Sequence, residues 1–140
     1  MNRDMENGIK LDRNSMKKLG VQTVFLFGSH AQKTDTPLSD YDFGILLTDK
    51  SVLKKRILRN KIYDNFYDII SSKIKKLVDI DIVFLDEMPL QLKYHVVKDG
   101  IIIYSDNLRI TGNFKEETIL QHADFAPLRN EFHESIMARI

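Results

Sequence analysis

The stretch from Val24 to Leu47, VFLFGSHAQKTDTPLSDYDFGILL, constrains this chain more than any other. It opens with Val24-Phe25-Leu26-Phe27, an apolar run of the kind that fills a buried strand. Gly28-Ser29 stops that run, and ten residues later Asp40-Tyr41-Asp42 opens a second one, Phe43 to Leu47. In an extended segment side chains alternate, so Asp40 and Asp42 share one face while Tyr41 and Phe43 share the other. Two carboxylates about 7 Å apart on one strand repel each other and resist desolvation. A divalent cation between them removes both costs, and hard oxygen ligands suit Mg²⁺, which keeps positions open for substrate phosphates.

Gly28 and Ser29 supply the other half of a phosphate site. A glycine lets the backbone approach a ligand closely. Ser29 offers a hydroxyl and, if a short helix follows, an amide at the positive helix end. Each feature has a plainer reading: Gly-Ser after a strand is most often a turn, and an isolated Asp-x-Asp is most often a cap or a solvated edge. Their spacing between two apolar strands is what joins them into one signal.

The pattern Gly28-Ser29, ten residues, Asp40-x-Asp42 resembles the signature of minimal nucleotidyltransferases of the DNA polymerase β superfamily. Within it, the chain is most similar to MntA-like antitoxins encoded beside HEPN-domain toxins. Many members read GSxARG where this chain reads Gly28-Ser29-His30-Ala31-Gln32-Lys33, which lacks the arginine and second glycine but leaves the metal pair untouched. The resemblance implies a small mixed α/β sheet of about four strands, with helices mainly on one face. It also implies a Mg²⁺-dependent enzyme with two ions, which transfers AMP from ATP to a tyrosine of a HEPN RNase toxin. Asp40 and Asp42 would be metal ligands and catalytic residues, with Gly28 and Ser29 binding the nucleotide.

Composition bounds the rest. The chain has 140 residues, 43% of them hydrophobic, and is expected to form a single domain, with a core over 19–104 and a helical tail over 107–140. A net charge of +1 supplies no global field towards nucleic acid or an anionic membrane. The absence of cysteine excludes disulfides and thiolate metal sites and suits a reducing cytoplasm. No apolar run approaches the roughly 20 residues that span a bilayer, and the polar start MNRDMENGIK does not read as a signal peptide. A cytoplasmic protein is expected.

In chain order, Leu11 to Leu19 reads as a short helix stopped by Gly20, followed by strands Val21–Phe27 and Tyr41–Leu47 around a turn cluster, Thr34 to Pro37. Lys50 to Leu77 reads as one long helix with Tyr63, Phe66, Tyr67, Ile70, Ile74 and Leu77 on one stripe. The basic residues of its first half spread around the helix, which favours a solvated surface over a nucleic-acid groove. Val78 to Phe84 alternates strictly and puts Asp79 and Asp81 on one face. The resemblance implies a third carboxylate here, set as an Asp followed by two apolar residues, which selects Asp81-Ile82-Val83. Pro89 opens a helix to about Lys98, and Ile101 to Tyr104 forms a last strand. The tail suggests two helical pieces, Glu116–Ala123 and another capped by Asp124 with Pro127 in its first turn.

His30, His95, His122 and His133 show no paired metal spacing and read as structural or surface residues, with a phosphate contact as the lesser alternative for His30, which adjoins Ser29. Two other functions fit the same motif. A small-molecule nucleotidyltransferase of the aminoglycoside-modifying kind shares it, but usually carries an added substrate domain. A non-enzymatic antitoxin that masks its toxin has no reason to carry three carboxylates and their electrostatic cost.

Overall fold

The computed structural model describes residues 9–32, 39–74 and 78–138, with 125–138 as backbone only. The turn cluster expected at Thr34 to Pro37 lies outside the described residues, as does Leu77 at the end of the expected stripe.

The runs legible as strands are strands: β1 (Val21–Phe27), β2 (Tyr41–Leu47), β3 (Ile80–Phe84) and β4 (Ile101–Ser105). They form one sheet in the order β3-β2-β1-β4. β1 runs antiparallel to both β2 and β4, and β2 runs parallel to β3. A parallel neighbour needs a crossover, which helix α3 (Arg56–Lys73) supplies. The other helices are α1 (Arg13–Leu19), α2 (Ser29–Gln32), α4 (Leu90–Asp99) and α5 (Leu108–Ala138).

Side-chain alternation on the central strands builds a core on each face of the sheet. Val24 and Leu26 of β1, with Phe43 and Ile45 of β2, pack with Met16 of α1 and with Phe66 and Ile70 of α3. Phe25 of β1 and Leu46 of β2 point the other way, into a second cluster with Leu85, Val96 of α4 and Phe114 of α5. The mixed four-stranded sheet expected from the sequence is therefore present, but its helices divide between both faces rather than gathering mainly on one. Phe25, Phe43, Phe66 and Phe84 are fully buried. Each contributes about 1.5–3 kcal/mol relative to exposure, which fixes the strands that carry the aspartates.

Apart from shifts of one or two residues at the first helix and last strand, three elements differ from the sequence reading. The helix expected from Lys50 is two pieces, a 3-10 turn at Lys50–Lys54 and then α3. Asp49 caps the turn by accepting from the Ser51 amide and hydroxyl, and Lys55 is extended, so the two pieces do not join. β3 begins at Ile80 rather than Val78. The tail forms one helix, α5, rather than two pieces, and Asp124 lies within it rather than at a cap. The true cap is Asn107, whose Oδ1 accepts from the Arg109 amide at 3.0 Å.

The start of α5 is held by a buried polar network at the end of the sheet where β1 begins and β4 finishes. Gln22 donates to the Asn107 carbonyl at 2.8 Å, and Thr111 lies 2.7 Å from the hydroxyls of both Thr23 and Ser105. Buried polar groups cost free energy unless paired, and here they pair with one another.

The crossover helix is tied to the loop after β3 by Arg59, which donates to both Glu87 carboxylate oxygens at 2.7 Å and lies over the Phe84 ring. The guanidinium holds the Glu87 carboxyl below its ordinary 4.5, mainly through these hydrogen bonds. A depressed carboxylate stabilises the fold above its unfolded pKa, and that contribution is lost as pH falls through the folded value. Glu87→Gln is expected to lose about 1 kcal/mol at pH 7. Urea unfolding of parent and variant checks this, and the difference should shrink at pH 3.

Candidate active site

The antiparallel register of β1 with β2 puts Phe27 opposite Asp42, so the end of β1 meets the start of β2. The parallel register of β2 with β3 puts Asp42 opposite Asp81. Gly28 and the three aspartates thus converge at one end of the sheet. Alternation places Asp42 on the same face as Gly44 and Leu46, the face covered by α4 and α5. Asp42 is half-buried, whereas Asp40 and Asp81 are exposed.

Gly28 adopts φ 76°, a left-handed conformation that favours glycine. A Cβ at this position would also collide with the Asp42 carboxylate oxygen Oδ2. The bend therefore needs glycine twice over, once for backbone conformation and once for room beside a carboxylate. Ser29 then begins α2, and the amides of Ala31 and Gln32 donate to the Gly28 carbonyl at 3.2 Å.

Burial raises the Asp42 pKa above its ordinary 3.8, and the neighbouring Asp81 raises it further through charge and a hydrogen bond. The Asp40 charge adds to the rise, and His30 opposes it. Ionising Asp42 is thus opposed both by its burial and by its acidic neighbours. Asp40 accepts from the Asp79 amide at 3.3 Å, and the Asp79 carbonyl accepts from the Tyr41 amide at 3.0 Å.

Each residue singled out in the sequence can now be placed. Gly28, Asp42 and Asp81 come together, with Asp40 close enough to act on Asp42 through its charge. Asp79 precedes β3 and serves the site through its backbone. Lys50, Lys54, Lys55, Arg56 and Lys61 are exposed, while Arg59 is engaged by Glu87. His95 pairs with Asp99 on α4, and the His122 ring stacks on Tyr94 at 3.6 Å; the His133 side chain lies outside the described residues. Sequence reasoning offered His30 only a phosphate contact, as the lesser alternative, and did not connect it to Tyr41. The two rings stack face to face, with centroids 3.6 Å apart. No periodicity signals a contact between residues in different elements.

Among the described residues, no three His, Cys, Asp or Glu side chains are already closed into a metal-binding cluster. The donor chemistry nevertheless fits Mg²⁺: the mutually repelling carboxylates offer only hard oxygen atoms, and the Asp42 carboxylate fills the room that a side chain at Gly28 would take.

The family model of polymerase β nucleotidyltransferases matches residues 10–109. The chain belongs to this family. The match spans the sheet and every residue of the candidate site. No curated protein matches this nucleotidyltransferase in sequence. Solved structures of the same fold include a chain from a toxin-antitoxin crystal structure with AMP-PNP. It is 23% identical, with TM-score 0.63, and the match covers 91% of this chain and 99% of that one. A chain from the MntA-HepT toxin-antitoxin is 20% identical, with TM-score 0.56, covering 95% and 98%. A third comes from the tri-AMPylated Shewanella oneidensis HEPN toxin in complex with MNT antitoxin, at 20% identity and TM-score 0.59, covering 96% and 98%.

The raised Asp42 pKa gives a test of the crowding that needs no substrate. A raised carboxylate favours the fold below its unfolded pKa, and that advantage is lost as pH rises through the folded value. In metal-free protein, Asp42→Asn should therefore stabilise at pH 7, by less than about 1 kcal/mol because water screens a half-exposed group. Thermal unfolding should show the gain at pH 7 and its disappearance at pH 3. Gly28→Ala should instead destabilise by more than about 1 kcal/mol at both.

Proposed function

We propose that this nucleotidyltransferase is an antitoxin that transfers AMP from ATP to a tyrosine hydroxyl of a HEPN-domain toxin and so neutralises it. The convergence of Gly28, Asp40, Asp42 and Asp81 at one end of the sheet is the observation that carries this reading. The acceptor rests on similarity to chains from toxin-antitoxin complexes, one of them containing an AMPylated HEPN toxin.

Asp40 and Asp42 would hold two Mg²⁺ ions, with Asp81 completing the donor set. When bound, the ions supply charge neutralisation of the triphosphate and a lowered pKa for the attacking hydroxyl. Gly28 would let the backbone lie close to the β- and γ-phosphates, and Ser29 would donate its hydroxyl to them. Asp81 would accept the tyrosine proton as the phenolic oxygen forms its bond to the α-phosphorus. The bond from the α-phosphorus to the bridging oxygen breaks, and pyrophosphate leaves with that electron pair. Asp81 is preferred over Asp79 because it lies opposite Asp42 in β3, whereas Asp79 precedes the strand.

Binding should be visible without the toxin. ATP with Mg²⁺ is expected to raise the melting temperature, and EDTA to abolish the rise, since a ligand at a hundred-fold excess over Kd stabilises by about 2.7 kcal/mol. Equal shifts with and without metal would remove the carboxylates from the reading.

The decisive test uses Asp40→Asn/Asp42→Asn, which keeps side-chain size but removes two charges. Co-expressed with a HEPN-domain toxin from the same organism, the parent should add AMP, seen by mass spectrometry as roughly 329 Da per unit. The double variant should bind the toxin yet leave it unmodified and active. Full protection by the variant, with unmodified toxin, would establish masking by binding instead.

A further inference from the structure

His30 is 9% exposed and sits in α2, one residue after the proposed phosphate-binding serine. Its Nε2 lies 3.1 Å from the carbonyl oxygen of Ser39. A carbonyl can only accept, so Nε2 carries the proton and donates. The same ring stacks on Tyr41 at 3.6 Å with an interplanar angle of 9°. One side chain of α2 therefore grips the segment that carries Asp40 and Asp42 in two ways.

The grip continues into the core. Tyr41 is followed two residues later by Phe43, whose ring is nearly parallel to it at 6.1 Å, and Phe43 meets Phe66 of α3 edge-on at 6.2 Å. Tyr41 lies between the two aspartates in sequence and on the opposite face of the strand, so the setting of its backbone determines where both carboxylates point. A histidine that merely filled space would need neither the hydrogen bond to the Ser39 carbonyl nor a parallel ring.

We propose that His30 is a positioning residue that fixes the distance between the phosphate-binding loop and the Asp40–Asp42 carboxylates. The inference rests on the nucleotidyl-transfer reading and adds to it a residue that would touch neither phosphate nor metal. Loosening the clamp leaves the loop able to hold the triphosphate but lets the carboxylates drift from the α-phosphorus. Displacements of about 1 Å cost about a hundred-fold in rate.

The test follows AMP transfer from ATP to the HEPN-domain toxin under steady-state conditions, alongside proton NMR of the imidazole. His30→Ala is expected to lower kcat by about ten- to a hundred-fold while changing KM for ATP by less than about three-fold. His30→Phe, which keeps a stacked ring, should recover most of kcat, and His30→Asn, which keeps a donor without the ring face, should recover little. In the parent, the carbon-bound ring protons of His30 should be shifted upfield by the Tyr41 ring current and return downfield in Tyr41→Leu. Unchanged kinetics in His30→Ala, or resonances that ignore Tyr41→Leu, would overturn the clamp while leaving the proposed reaction standing. If His30→Ala does not fold, equal loss of kcat in His30→Phe and His30→Asn would overturn the stacking role. A parent that transfers no AMP would remove the proposed function, and the clamp with it.

Discussion

Asp42 is held where an unaided carboxylate would not stay. Burial, the facing Asp81 and the nearby Asp40 all disfavour its charge, and Gly28 leaves its space empty so that the carboxylate fits. Such crowding persists only if the strands cannot move apart. The rigid element is the central pair, β1 and β2, with apolar side chains packed above and below. The core fixes the backbone, the backbone sets the carboxylates against one another, and their repulsion leaves them suited to a divalent cation.

The two ends of the sheet meet their polar demands differently. Where β1 starts and β4 finishes, Gln22, Thr23, Ser105 and Thr111 satisfy one another and anchor the last helix. At the other end, Asp40, Asp42 and Asp81 gather like charges that raise the cost of ionising Asp42. A polar cluster that closes on itself contributes to the fold, whereas one that keeps excess charge is available to a ligand. This contrast distinguishes a structural network from a candidate catalytic one without reference to any relative.

Much of this was legible from residue order. The apolar runs that became β1 and β2 begin and end as read, because each is bounded by glycine, aspartate or threonine and its apolar stretch is buried over five or six consecutive residues. Asp42 stood out because an acid on a core strand is costly and therefore conspicuous, whereas the choice of Asp81 over Asp79 came from the family resemblance. What escaped depended on contacts between distant residues. Asn107 and Asp124 are both plausible caps by local chemistry, and the contact of Asn107 with Gln22, far away in sequence, marks where the helix starts. The division of helices between two faces depends on where Val96 and Phe114 pack, which no pattern within one helix reveals. The His30–Tyr41 stack escaped for the same reason, being a meeting of a helix with a strand.

The parallel pairing of β2 with β3 also governs when the site can exist. β1 and β2 pair across a short connection, but Asp81 reaches Asp42 only after α3 has packed across the sheet and closed the crossover. Pairing at such sequence separation is slow, because the entropy of closing the loop must be met before any contact rewards it. By this argument the third carboxylate joins the site after the Gly-Ser turn and the first two aspartates. An incompletely folded molecule can present the Gly-Ser turn and the first two aspartates, yet it lacks the group assigned to take the proton. Chemical competence is thereby deferred until the crossover has closed, so the reaction itself reports that β3 has taken its place beside β2.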